Sequence, residues 1–115
     1  MNILLTGASG FLGHHLVDRI AYEIDLINNQ KDYYGDDLYK LFTPSSAQMN
    51  CLNYDELYYY CLYNDINTII HLAAECGGIG INQRKPADFF LHNTEMSLNI
   101  LKVSHELNLK KTVTL

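Results

Sequence analysis

Short apolar strands that alternate with amphipathic helices predict an α/β fold built on a doubly wound parallel sheet. Two observations carry this prediction. A buried strand at Ile3–Leu5 leads into a glycine-rich turn and then into a helix. A β-branched, apolar strand near the middle of the chain leads into a second glycine-rich loop, Cys76–Gly80. Together they indicate a sheet of the Rossmann type, truncated after about the fifth strand at Leu115.

The first half of the chain is predicted to contain three strands and one helix. Apolar residues recur at helical spacing from about Gly10 to Tyr22. The run Ile24–Ile27 is interpreted as a second strand, and Tyr33–Pro44 as a loop with one helical turn. A short third strand is assigned to Ala47–Asn50.

The second half is predicted to contain two helices and two strands. Asn53 is interpreted as the N-cap of a helix reaching about Asn64, with Glu56 at the capping-box position. The strand Ile66–Ala74 follows, then a helix from about Pro86 to Leu107 and a last strand, Thr112–Leu115. The stripe predicted to be buried on the long helix consists of Phe89, Met96, Ile100, Val103 and Leu107.

Composition narrows the possible functions. The 115 residues fit a single domain, 1–115, and 48% of them are hydrophobic, which is enough for a core. The net charge of −5 argues against a nucleic-acid partner, and no apolar stretch is long enough to span a membrane. The cysteines have no metal-ligand spacing, so we expect no metal site and free thiols in the cytoplasm. They are Cys51, Cys61 and Cys76.

The first glycine-rich turn predicts a binding site for a dinucleotide pyrophosphate. Gly7 permits the tight turn, Gly10 lets a phosphate approach the backbone, and Gly13 lets the helix pack against the strand. The helix start also offers unpaired N–H groups and a partial positive charge to an anion. The predicted cofactor-binding residues of this turn are Gly7, Gly10, Phe11, Leu12 and Gly13.

The end of the predicted second strand bears on the choice between NAD and NADP. An acidic residue there would bind the adenosine ribose of NAD. The sequence has Asn28 and Asn29 instead, and Lys31 is placed to meet the 2′-phosphate of NADP. We therefore predict NADP as the cofactor, with NAD as the alternative.

Two motifs carry a resemblance to a known family. Residues 6–13, TGASGFLG, and residues 71–74, HLAA, resemble the extended short-chain dehydrogenase/reductases, the NAD-dependent epimerases and dehydratases. The stretch from His71 to Phe89 resembles the GDP-L-fucose synthases, and the GDP-mannose 3,5-epimerases more weakly. The resemblance implies epimerisation and NADPH-dependent reduction of a 4-keto-6-deoxy GDP-mannose. It also implies a GDP-sugar as partner and a homodimer formed through helices such as Pro86–Leu107.

The resemblance assigns further residues to the cofactor. Asn50 and Cys51 would lie near the adenine, where relatives often carry an acidic residue. Leu72, Ala73 and Ala74 would lie against the cofactor at the carboxyl end of a strand. The loop Gly77–Gly80 would border the nicotinamide and the sugar.

Four polar residues have a structural and a functional interpretation. Asn93 matches a family asparagine that usually holds neighbouring segments, and His71 is expected to be a core imidazole rather than a base. Arg84 and Lys85 are expected to be solvated charges, with attraction of a sugar diphosphate as the alternative.

The catalytic groups that the resemblance implies do not occur in this sequence. The family needs a Ser or Thr after the fifth strand and a Tyr-x-x-x-Lys pair, and the sequence reaches Leu115 before any of them. We therefore assign no catalytic residue and expect the N-terminal portion of a larger enzyme. The alternatives are a non-catalytic nucleotide-binding module and an inactive gene fragment.

Overall fold

The fold alternates strands and helices around one parallel sheet. The computed structural model describes residues 1–30, 38–75 and 86–115. In these ranges the elements are β1 (Asn2–Thr6), α1 (Phe11–Asn28), β2 (Lys40–Phe42), α2 (Tyr54–Tyr63), β3 (Thr68–His71), α3 (Pro86–Glu106) and β4 (Lys111–Thr114). The strand order is β2-β1-β3-β4, and each neighbouring pair is parallel. The predicted α/β class with a parallel sheet is confirmed.

The connections wind in both directions from the middle of the sheet. β2 lies on one side of β1, whereas β3 and β4 lie on the other. Because parallel crossovers are right-handed, α1 covers one face, and α2 and α3 cover the other. Leu4 and Leu5 are both fully buried, but only Leu4 belongs to the core cluster that α2 and α3 build. Successive strand residues point to opposite faces, so this difference is what a doubly wound sheet requires.

The main core lies between the sheet and the pair α2 and α3. Leu57 of α2, Ile69 of β3, and Ile100 and Val103 of α3 are fully buried in it. Burial of each such side chain stabilises the fold by about 1.5–3 kcal/mol. Met96 is also buried, while Leu107 packs against the same cluster from its edge. The predicted stripe on the long helix is therefore confirmed from Met96 to Leu107, whereas Phe89 is only half-buried and lies outside this cluster.

The predicted second strand at Ile24–Ile27 is wrong, because α1 continues to Asn28. Ile24 is buried and Ile27 half-buried, on the same helical face as Val17 and Ile20. No glycine or proline separates Tyr22 from Ile24, so nothing in the sequence stops the helix. The apolar run is simply the last turn of the amphipathic stripe.

The second strand is instead β2, within the stretch expected to be a loop. It pairs with β1 in the register Ile3↔Leu41. Asn28 at the end of α1 fixes its start, since the Asn28 amide donates to the Tyr39 carbonyl at 3.0 Å and accepts from the Tyr39 N–H at 2.8 Å. This double hydrogen bond joins the helix to the strand.

The predicted third strand at Ala47–Asn50 is also wrong. Residues 46–48 form a turn, in which Gln48 and Met49 donate backbone N–H groups to the Ser45 carbonyl. The following helix, α2, begins as predicted, because the Asn53 side chain accepts the Glu56 N–H at 3.2 Å. No helix in the described ranges combines the length and the apolar character needed to cross a membrane.

Candidate functional site

The candidate site lies where the carboxyl ends of β1 and β3 meet. These strands are paired up to Thr6 and His71, and the chain then leaves β1 toward β2 but leaves β3 toward β4. In open α/β sheets such a divergence opens a crevice beyond the strand ends, and ligands bind there. The glycine-rich turn and Leu72–Ala74 are the segments that leave the two strands at this point.

A short hydrogen-bond chain joins the two strand ends. The Thr6 hydroxyl lies 2.7 Å from Nδ1 of His71 and accepts the Ala73 N–H at 3.3 Å. Burial lowers the pKa of His71, which favours the neutral imidazole. His71 is only 3% exposed. The expectation of a core imidazole agrees with these contacts.

Backbone segments approach so closely at the crevice that two positions admit only glycine. Gly7 has φ +78°, and a Cβ there would lie 2.6 Å from the Ala73 nitrogen and 2.7 Å from the Leu72 carbonyl carbon. A Cβ on Gly13 would collide with the Gly7 carbonyl oxygen and lie 2.8 Å from Cα of Ala8. The predicted role of Gly7 in the turn is confirmed, and Gly13 lets the helix pack closely against the turn residues Gly7 and Ala8 rather than against β1 itself.

The start of α1 differs from that of α2 in how its N–H groups are satisfied. α2 has the Asn53 cap and two acidic residues in its first turn. α1 begins after Gly10, with no side-chain cap and no acidic residue in its first turn. Its first N–H groups and its partial positive charge are therefore available to an external anion.

A cavity of about 590 Å³ occupies the crevice. Its volume is in the usual range for small-molecule sites. Among the residues that the structure describes, no aspartate, glutamate, lysine or arginine side chain lines it. Ten of the predicted cofactor-binding residues line it together: Gly7, Gly10, Phe11, Leu12, Gly13, Asn50, Cys51, Leu72, Ala73 and Ala74.

The structure does not bring Asn28 and Asn29 to this cavity. They end α1, and the helical rise of 18 residues places Asn28 roughly 27 Å from the glycine-rich turn. Their prediction rested on the wrong second strand, and the Asn28 side chain is engaged with the Tyr39 backbone. Lys31 lies outside the described residues, as do Gly77–Gly80, Arg84 and Lys85.

Residues that follow the true second strand were missed by sequence reasoning. Thr43, Pro44, Ser45 and Ser46 come directly after β2 and line the cavity. Met96 reaches it from α3. The apolar pair Leu41–Phe42, followed at once by Thr-Pro-Ser, is the sequence signal that marks this strand end.

Two neighbouring residues of α3 hold the segment after β3. The Asn93 amide accepts the Glu75 N–H at 2.7 Å and donates to the Glu75 carbonyl at 3.1 Å. The expectation that Asn93 is a structural hydrogen-bonder is confirmed. Nδ1 of His92 lies 2.6 Å from Oε2 of Glu75, and this hydrogen bond raises the pKa of His92 against an opposing effect of burial.

An uncapped glycine-rich helix start at the switch point of a doubly wound sheet defines a Rossmann-type dinucleotide-binding domain. The chain belongs to the NAD dependent epimerase/dehydratase family, whose model matches residues 3–115. The family predicted from the two motifs is thereby confirmed.

Two relatives illustrate the range of the family. The chain is 31% identical over 115 residues to a GDP-L-colitose synthase of Yersinia pseudotuberculosis, covering 100% of this chain and 33% of the relative. It is 25% identical over 118 residues to GDP-mannose 3,5-epimerase 1 of Oryza sativa subsp. indica, covering 96% and 29%. The chain thus spans about a third of the length of these relatives.

Solved structures share the fold. A GDP-L-fucose synthetase from Naegleria fowleri bound to NADP superposes with a TM-score of 0.67 at 25% identity, covering 98% of this chain and 32% of that one. DdhaC superposes with a TM-score of 0.79 at 19% identity, covering 98% and 29%. The second likeness concerns the fold alone.

Proposed function

We propose that this chain is the NADP(H)-binding, N-terminal portion of a nucleotide-sugar epimerase/reductase. The observation that carries the proposal is the cavity at the ends of β1 and β3, bounded by the uncapped start of α1. The N–H groups around Gly10–Gly13 would bind the pyrophosphate. Leu72–Ala74 would contact the cofactor from β3, and Asn50 and Cys51 would lie beside the adenine. A bound nicotinamide would supply hydride transfer.

The residues after β2 support NADP over NAD. Thr43–Ser46 present three hydroxyl groups and no carboxylate at the strand end where NAD-binding domains place an acidic residue. An acidic side chain would repel a 2′-phosphate, whereas hydroxyl groups can donate hydrogen bonds to it. NAD is the alternative cofactor.

A titration with NADPH and NADH tests this proposal. We expect saturable binding of both, tighter for NADPH, seen as a change in nucleotide fluorescence and a rise in melting temperature. Thr43→Asp should shift the preference toward NADH, because its carboxylate repels the 2′-phosphate. Thr43→Asn, of nearly the same size but neutral, is the matched control and should keep the preference for NADPH.

The outcomes separate the parts of the proposal. Failure of the folded chain to bind either nucleotide would contradict the cofactor function. If Thr43→Asp and Thr43→Asn show the same preference between NADPH and NADH, the residues after β2 do not select the cofactor. The proposal of a dinucleotide site would not be affected by that result. A non-catalytic nucleotide-binding module would bind NADPH as well, so this titration does not separate it from an enzyme. Turnover of a substrate by the longer protein makes that distinction.

The substrate of the longer protein is proposed to be a GDP-sugar. Support comes from relatives named as a GDP-L-colitose synthase and a GDP-mannose 3,5-epimerase, and from the likeness to a GDP-L-fucose synthetase. Epimerisation and reduction of a 4-keto-6-deoxy GDP-mannose is the particular reaction that we propose. Cys51 and Cys61 are free thiols in the core, which supports a location in the reducing cytoplasm.

We further propose a homodimer that forms through α3. Leu91, Leu98 and Leu101 recur at helical spacing and are 60%, 49% and 50% exposed. An apolar helix face of this kind is typical of a protein interface. Sedimentation equilibrium should therefore find a dimer that Leu98→Lys converts to a monomer. The control Leu62→Lys, on the exposed side of α2, should leave the dimer intact, and a wild-type monomer would contradict the proposal.

A further inference from the structure

Asn99 is a buried polar residue whose contacts lead directly to the wall of the cavity. It lies on the buried side of α3 beside Ile100 and is only 6% exposed. Its Nδ2 donates to the carbonyl oxygen of Cys51 at 2.9 Å and to that of Leu52 at 3.2 Å. A buried amide costs free energy unless it is hydrogen-bonded, so these bonds hold the side chain in one place.

The segment that receives these bonds belongs to neither a strand nor a helix. Met49, Asn50 and Cys51 precede α2, and all three line the cavity. The other hydrogen bonds that described residues make with this segment are local, such as Leu52 N–H to the Asn50 side chain at 3.0 Å. Asn99 joins the segment to a different part of the fold, 48 residues further along the chain.

α3 contacts the cavity wall a second time through Met96, one turn before Asn99. Met96 is buried and lines the same cavity as Cys51. The helix therefore fixes the 49–52 segment both by packing and by two hydrogen bonds. Without the amide, two carbonyl groups next to the cavity would lose their donor, and the segment could move relative to the glycine-rich turn.

We propose that Asn99 is a positioning residue for the dinucleotide, because it holds the wall that faces the adenosine half. This inference rests on the proposed function and assigns a role to a residue that does not line the cavity. It places the effect at one end of the ligand, since the glycine-rich turn and Leu72–Ala74 do not depend on the Asn99 contacts.

The test compares Asn99→Leu with Asn2→Leu in the 115-residue chain. Both variants replace an amide that donates to a backbone carbonyl; Nδ2 of Asn2 donates to Asn64 at 2.8 Å, at the end of the sheet away from the cavity. The probes are NADPH, adenosine 2′,5′-bisphosphate and reduced nicotinamide mononucleotide. Urea unfolding of each variant measures the structural cost alone.

Asn99→Leu should weaken NADPH and adenosine 2′,5′-bisphosphate by about tenfold each, a difference of about 1.4 kcal/mol. It should leave the affinity for the reduced nicotinamide mononucleotide unchanged, and Asn2→Leu should leave the affinities for all three probes unchanged. If Asn99→Leu does not fold, Asn99→Ser, which keeps one donor but is too short to reach both carbonyls, should show the same pattern with a smaller loss.

Unchanged affinity for the adenosine probe in a folded Asn99 variant would overturn the inference while the dinucleotide site stands. An equal loss for both halves of the ligand would also overturn it, since the effect would then be general. Absence of NADPH binding by the wild-type chain would refute the proposed function, and the inference with it.

Discussion

Replacement of Gly7 by alanine tests the close approach of the two strand ends. The alanine must adopt φ near +78°, which costs an L-residue about 1–2 kcal/mol. Its Cβ must also displace the backbone of Leu72 and Ala73, because contacts of 2.6 and 2.7 Å are too short. Forcing extra volume into a packed site costs about 1–3 kcal/mol. Together we expect a loss of about 2–5 kcal/mol of unfolding free energy.

Gly10→Ala is the matched control for this substitution. Gly10 has φ −73°, and the one described atom that a Cβ there meets within 4 Å is the Gly7 carbonyl oxygen, at 3.3 Å. We expect a change of less than about 1 kcal/mol, partly offset by the lower entropy of the unfolded chain. Gly7→Asn separates the two causes, since asparagine tolerates positive φ but still carries a Cβ.

Urea unfolding followed by circular dichroism measures these differences. The expected order of stability is wild type and Gly10→Ala together, then Gly7→Asn, then Gly7→Ala. Equal stability of Gly7→Ala and Gly10→Ala would refute the close contact between the turn and Leu72–Ala73. Full recovery in Gly7→Asn would show that the backbone angle, rather than the contact, requires glycine.

Three further predictions concern residues away from the glycine-rich turn. Asn28→Ala should lose about 1–2 kcal/mol of stability, because it removes two hydrogen bonds. The NADPH dissociation constant should not change, and weaker NADPH binding would indicate that Asn28 contacts the nucleotide after all. The hydrogen bond to Glu75 raises the pKa of His92. The stabilisation from this bond is therefore present below about pH 6.5 and is lost as the pH rises through the folded-state pKa. A stability difference between wild type and His92→Gln that does not vary with pH would contradict this. Burial raises the pKa of Cys51 to about 11 and that of Cys61 to about 12. Both thiols should therefore react with a disulfide reagent at pH 8 only after unfolding. Rapid modification of either thiol in the native chain would contradict this prediction.

The glycine-rich part of the cavity was predictable because it is local in sequence. The glycine-rich turn specifies its own conformation through Gly7 and Gly13, and it lies between a buried strand and an amphipathic helix. Asn53 likewise marks the start of α2 through a hydrogen bond to a residue three positions away. Local rules are sufficient for such features.

The second strand was not predictable in the same way. Ile24–Ile27 has the composition of a strand, and only its phase relative to Val17 and Ile20 assigns it to α1. β2 has three residues, and none of them is buried, so its own pattern is weak. Its position is fixed by partners far along the chain or on another element, namely Ile3 of β1 and the Asn28 amide.

Asn99 also shows what periodicity cannot reveal. A polar residue among apolar neighbours on α3 indicates a buried amide that needs partners, but not which ones. The carbonyl groups of Cys51 and Leu52 become its acceptors only because α3 packs beside α2. This long-range contact also holds Cys51 in the wall of the cavity.

The measurement that tests the central claim most directly is an NMR titration of the isotope-labelled chain with NADPH. We expect saturable shifts of backbone amide signals from Gly7–Gly13, from Thr43, Ser45 and Ser46, and from Leu72–Ala74. The signals of Asn28 and Asn29 should not shift. That pattern would place the dinucleotide in the crevice between the ends of β1 and β3. Saturable shifts centred elsewhere, or none in a folded chain, would contradict the account.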